Sequence, residues 1–197
     1  MTIEYYDQNA QNFVAGTIDV NMEELYSHFV SLLPTQALIL DAGCGSGRDT
    51  KAFLDMGYSV EAIDASLAMV NHATSYTGIQ VIKKTFQEMG EKEKYDAIWA
   101  CASLLHVPKD ELFDVFTKLT TALKTGGIWY LSFKYGSEER QKDGRSFTDM
   151  NEESIQLLLS KLGGLVNLKT WLTEDARPDR KEKWLNVIVQ KNTLMGS

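Results

Sequence analysis

The chain has 197 residues, with 20 lysines and arginines against 27 aspartates and glutamates, for a formal charge of −7. Hydrophobic residues make up 44% and charged residues 24%, the mix of an ordinary globular protein, which excludes a disordered, collagen-like or disulfide-framework chain. One domain is expected at this length, burying about 70% of its extended-chain surface without staples. The acidic balance disfavours a protein whose main work is gripping phosphate backbones and points to a small-molecule partner.

In chain order, residues 4–15 and 22–33 read as two helices. Residues 37–41 (ALILD) form a short continuous apolar run, the mark of a strand buried on both faces. A glycine-rich turn and a helix over 49–56 follow, with Gly57 past its end. Residues 58–63 read as a strand, 66–76 as a helix, 79–83 and 95–101 as strands. Apolar residues at 112, 113, 115, 116, 119, 122 and 123 give 110–123 a helical face, which 125–127 (TGG) stops before a strand at 128–133. The charged stretch 137–145 (SEERQKDGR) reads as a solvated loop with Arg145 turned inward. Residues 152–162 read as a helix capped by Asn151, 165–172 and 184–189 as a closing strand pair, and 177–183 (RPDRKEK) as its polar tip. Strands alternating with helices imply a parallel sheet with helices on both faces. The last two strands lack a helix between them, so the final strand is expected to be antiparallel.

No repeat or linker divides the chain. The expected organisation is a helical lid at 1–35 and a cofactor-binding core at 36–197, one domain overall. Cys44 and Cys101 form no CxxC pair, so neither zinc nor a disulfide is expected. His28 and His72 lie on helices without ligand partners, so no metal site is expected. The start, MTIEYYDQNAQ, lacks the basic and apolar regions of a signal peptide. The longest nearly apolar stretch, 97–105, is less than half of the roughly 20 residues a membrane helix needs. A cytoplasmic protein without a membrane partner is expected, as a monomer or homodimer.

Ligands of open α/β sheets bind outside the carboxyl ends of the strands. Here the first strand ends in Asp41-Ala42-Gly43-Cys44-Gly45-Ser46-Gly47-Arg48. Its glycines permit a sharp turn and close approach of a ligand to the backbone. A dinucleotide fingerprint needs a third glycine at 48, where Arg48 stands. Asp41 at the strand end disfavours a pyrophosphate and suits a cationic group, so an amino acid with both charges fits better. Asp64, ending the second strand, can accept two hydrogen bonds from a ribose diol. A ribose and an amino acid with no phosphate between them describe S-adenosylmethionine.

The runs LILDAGCGSGRD, VEAIDAS, YDAIWACASLLH and ALKTGGIWYLSF together resemble class I S-adenosylmethionine-dependent methyltransferases over roughly residues 36–190. WACASLLHVP and GRSF resemble most the small bacterial methyltransferases related to tellurite-resistance proteins. The resemblance implies a Rossmann-like, seven-stranded, mostly parallel sheet in the order 3-2-1-4-5-7-6, with strand 7 antiparallel. It implies that Asp41 and Gly43 hold the methionine end, with Arg48 reaching its carboxylate and the Ala100 carbonyl its ammonium. Asp64 would take the ribose hydroxyls, and Thr85, Phe86 and Gln87 the adenine, with Cys44, Gly45 and Ala65 also against the cofactor. For the acceptor side, Tyr6, His106, Lys134 and Arg145 are the candidate contacts. The basic residues gathered there suggest an anionic acceptor. Three alternatives stay open: a cofactor-binding sensor without turnover, a nicotinamide-dependent oxidoreductase and, disfavoured by the acidic balance, a methyltransferase acting on nucleic acid.

Overall fold

The structure, a computed structural model, describes residues 2–177 and 180–192. Residues 178 and 179, within the expected tip 177–183, lie outside the described residues. Two helices, α1 (Thr2–Thr17) and α2 (Glu23–Val30), precede the sheet. Then come β1 (Leu38–Ala42), α3 (Arg48–Asp55), β2 (Ser59–Asp64), α4 (Leu67–Thr77), β3 (Ile82–Lys83), β4 (Tyr95–Ala100), α5 (Leu112–Ala122) and β5 (Leu123–Lys134). A hairpin of β6 (Glu139–Lys142) and β7 (Arg145–Thr148), helix α6 (Glu152–Leu162) and strands β8 (Leu165–Glu174) and β9 (Lys183–Lys191) complete the fold.

The seven-stranded sheet runs β3-β2-β1-β4-β5-β9-β8, with β9 antiparallel to both neighbours. The numbering departs from the expected 3-2-1-4-5-7-6 because the hairpin is inserted before the last two strands; among the sheet's own strands the order is the same. Apolar side chains alternate between two buried layers, as a strand's two-residue period requires. Ile39, Ala97, Trp99 and Tyr130 face one layer with Tyr26, Phe29 and Phe53. Leu40, Ile98, Trp129 and Leu131 face the other with Phe116, Leu119, Ile155 and Leu159.

The two N-terminal helices differ in kind. In α2, Tyr26 and Phe29 are core residues, their rings packed on Phe53 and Trp99. Helix α1 has no buried residue and breaks at Asn9, whose φ of −116° and ψ of 18° are not helical. Its attachments are polar tethers and aromatic edges.

Three local expectations are corrected. The expected stop at 125–127 lies inside a strand, because α5 ends at Ala122 and β5 begins at Leu123; only Gly126, at φ +81°, marks the irregularity. The third strand shrinks to two residues, both exposed. Residues within the expected loop 137–145 instead build β6 and the start of β7, joined through Asp143 and Gly144 at φ +52° and +76°, the two-residue turn that matches strand twist.

Candidate active site

The turn after β1 is locked onto β2: Gly43 N–H and Cys44 N–H both donate to the Ile63 carbonyl at 2.9 Å. Gly43, Gly45 and Gly47 all have positive φ, at 81°, 53° and 84°. A Cβ on Gly43 would lie 2.5 Å from the Ser103 Cβ, so glycine is required there by space as well as by backbone angle. Ser103 in turn donates to the Ala42 carbonyl at 2.6 Å, tying the end of β1 to the segment after β4.

Asp64, at the end of β2, accepts from Gly45 N–H through Oδ2 and from Ser66 N–H through Oδ1, both at 2.9 Å. A carboxylate offers about four acceptor positions. The oriented group therefore keeps capacity for two further donors, which is what a vicinal diol presents. Burial raises its pKa against these two bonds.

Asp41 is 2% exposed and accepts from Thr50 Oγ1 at 2.6 Å. Burial, reinforced by the charge of Asp49, pushes its carboxyl well above the usual carboxylate range. Asp49 is a buried hub that the sequence does not advertise. It accepts from Arg48 Nε at 2.7 Å, Tyr26 Oη at 2.5 Å and Trp99 Nε1 at 2.8 Å. Burial alone would raise its pKa; Arg48 and these donors outweigh it and hold the group ionised. Arg48 Nη1 also donates to the Thr17 carbonyl on α1 at 3.2 Å. Its guanidinium thus links α1 to the glycine loop, where the sequence reading aimed it at a ligand carboxylate. Cys44 is buried beside these acids and its thiol is pushed up by burial, which leaves it a poor nucleophile.

After β3, Phe86 turns toward the glycine loop, its Cζ 3.3 Å from where a Gly43 Cβ would stand. Thr85 and Gln87 have other partners: Thr85 forms a capping box with Glu88, and Gln87 donates to Glu111 at 2.7 Å. Ala65 leads into α4, and Ala100 ends β4 fully buried, paired with Leu131. Of the expected adenine contacts, only Phe86 is brought to the loop by its side chain.

Helix α1 lies across this region. Phe13 stands 3.3 Å from where a Gly45 Cβ would be. Asp7, which the sequence reading passed over, accepts from Ser66 Oγ at 2.6 Å and Ala68 N–H at 3.1 Å, covering the start of α4 beside Asp64. Under α1 is a cavity of about 190 Å³ that reaches from Gly43 and Gly45 to His106, Phe147 and Trp184.

The four acceptor-side candidates all line this cavity. His106 lies 2.8 Å through Nδ1 from the Ser146 carbonyl and 2.8 Å through Nε2 from Tyr6 Oη. A carbonyl only accepts, so Nδ1 carries the proton and Nε2 accepts from Tyr6. Burial, with Arg145 and Lys134 nearby, lowers the His106 pKa to about 4, keeping the ring neutral. Lys134 is 6% exposed and donates to Glu182 at 2.7 Å, with Phe147 4.6 Å away. Burial lowers its pKa, and Glu182 opposes the shift. Arg145, from the hairpin, stacks 4.4 Å from the Tyr5 ring and 5.2 Å from that of Phe147.

Residues 39–127 match a family model described as a methyltransferase domain. The match runs from β1 into β5 and leaves out α1, the hairpin and β8–β9, the elements that surround the acceptor-side residues. The ubiquinone biosynthesis O-methyltransferase of Rickettsia canadensis is 28% identical over 116 residues, covering 56% of this chain and 48% of that protein. The chain thus spans about half the length of the curated relatives it matches. Among solved structures, the 1,6-didemethyltoxoflavin-N1-methyltransferase of Burkholderia thailandensis superposes with a TM-score of 0.67 at 20% identity, covering 98% of this chain and 91% of that one. The magnesium protoporphyrin IX methyltransferase of Synechocystis gives 0.75 at 18% identity, covering 96% and 97%. Residues 39–127 are thus similar to a methyltransferase domain, and the sheet shared with these solved structures is Rossmann-like. Among the described residues no helix is long and apolar enough to cross a membrane, and no group of three or more His, Cys, Asp or Glu could hold a metal ion.

Proposed function

We propose that the protein transfers a methyl group from S-adenosylmethionine to a small, anionic acceptor held between the glycine loop and the β6–β7 hairpin. The observation that carries this reading is the Asp64 carboxylate, oriented by two backbone N–H groups with acceptor positions to spare, beside a glycine turn that admits no side chain at Gly43. The structures from Burkholderia and Synechocystis were solved with S-adenosylhomocysteine bound, which supports the same donor here. Asp64 would take the ribose, Phe86 the adenine, and Asp41 with the backbone of 43–45 the amino-acid end.

The donor supplies an electrophilic methyl group, so the protein's task is to orient the acceptor and exclude water. Where the acceptor loses a proton, Tyr6 Oη can take it while passing its own proton to Nε2 of neutral His106. Arg145 is a cationic wall, and Lys134 adds a buried, paired ammonium beside it. The resemblance of residues 99–108 and 144–147 to tellurite-resistance-related methyltransferases adds a tellurium oxyanion to the acceptors worth testing.

Calorimetry with S-adenosylhomocysteine tests the donor. The wild type should bind, and Asp64→Ala should weaken binding by about 10- to 100-fold, the loss of one or two charge-assisted hydrogen bonds. Unchanged affinity in a folded Asp64→Ala protein would remove the basis of the reading.

A further inference from the structure

The basic side chains around the acceptor cavity are not equivalent. Lys134 is neutralised by Glu182 at 2.7 Å, Arg48 by Asp49 at 2.7 Å and Arg177 by Asp175 at 2.6 Å. Arg140, on the neighbouring strand, is neutralised by Asp149 at 2.8 Å. His106, with its lowered pKa, contributes no charge. Arg145 differs. Its side chain is 15% exposed, and its one ion-pair partner among the described residues is Asp143, 4.0 Å away and itself 63% exposed. Its Nε is buried and has no hydrogen-bond partner.

A largely buried cation without a close counter-ion is costly. Three aromatic rings soften that cost here: Tyr5 at 4.4 Å, Phe147 at 5.2 Å and Tyr6 at 6.0 Å from the guanidinium carbon. Arg145 lines both the inner cavity and a second, outer one of about 530 Å³ that opens past Asn12, Gly16 and Asp19. It therefore stands, with Phe13 and Arg180, on the boundary between the two. Phe147 and Trp184 add apolar wall beside it.

Resting on the methyl-transfer reading, we propose that Arg145 is the specificity determinant for the acceptor, pairing with a carboxylate on a compact, flat, apolar body. The acceptor class is then an aromatic carboxylate. Arg180 also lines both cavities but is exposed; what sets Arg145 apart is its burial, its unpartnered Nε and the three rings against it. A neutral acceptor would leave the Arg145 charge unanswered. Planarity matters because a carboxylate engages a guanidinium through parallel N–H donors, which a lysine ammonium cannot reproduce.

The test uses the full chain with benzoate and its neutral isostere benzamide as probes, read by calorimetry and Trp184-sensitive fluorescence, with and without S-adenosylhomocysteine. Benzoate should bind at least tenfold more tightly than benzamide. Arg145→Gln should abolish that ratio, Arg145→Lys should restore only part of it, and all three proteins should bind S-adenosylhomocysteine within twofold of one another. Equal binding of the two probes, binding of neither, or a benzoate preference that survives Arg145→Gln overturns the proposal. A wild type that binds benzoate selectively but not S-adenosylhomocysteine sinks the methyl-donor reading and leaves Arg145 standing.

Discussion

On the proposed donor reading, the environment of Asp41 would encode a binding event. Buried beside Asp49, its carboxyl holds a proton more tightly than a carboxylate in water does. An ammonium arriving at the turn after β1 would favour the ionised form, so its pKa should fall on binding and a proton should leave. Calorimetry at pH 7 in buffers of differing ionisation enthalpy should therefore show net proton release when S-adenosylhomocysteine binds, and none in Asp41→Asn. Affinity should rise with pH until Asp41 is ionised in the free protein. Residues differ in how far the sequence exposes such roles. The place of Asp64 beside the glycine loop was legible because it ends the strand that follows that loop and its helix. Asp49 was not, because beside Arg48 it reads as a surface ion pair; only the arrival of Tyr26 and Trp99 from other elements makes it a hub. Thr85 and Gln87 were assigned by resemblance, and their side chains are engaged by Glu88 and Glu111 instead.

Among the elements, α3 and α4 meet over Gly47. A Cβ there would lie 2.8 Å from Thr77 Cγ2 and 3.0 Å from the Ala73 Cβ, at a φ of +84°. Gly47→Ala should cost about 1–3 kcal/mol, from backbone strain and overpacking together, seen as a lower urea midpoint with an unchanged slope. The strands and helices of the core were readable because buried apolar residues set their period. The β6–β7 hairpin was not, because its strands are short and charged and carry no apolar alternation; the Asp143-Gly144 pair was its one local signal. Arg145 owes its place in the cavity to that hairpin, so the residue proposed to select the acceptor sits on the element least visible in the sequence.

At the scale of the whole molecule, stability and the active site are linked through His106. Its pKa is about 4 in the fold against 6.5 for the free side chain. Between those values the unfolded chain binds a proton that the folded one does not, so stability rises with pH across this window. The contribution is fully present above pH 6.5 and is lost by about pH 4, amounting to about 3 kcal/mol at most. Raised carboxyls such as Asp41 act with the opposite sign in the same range. The measurable quantity is therefore the difference between the urea unfolding curves of the wild type and His106→Gln. That difference should change between pH 4 and 6.5 and level off above; a difference flat from pH 4 to 8 would contradict the buried, neutral ring. The break in α1 at Asn9 divides the covering helix into two shutters on one hinge. The front leaf is pinned by Tyr6 and Asp7, the rear leaf by Phe13 and Thr17. Each leaf thus has its own fastenings: the front holds to His106 and the start of α4, the rear to the glycine bend and Arg48.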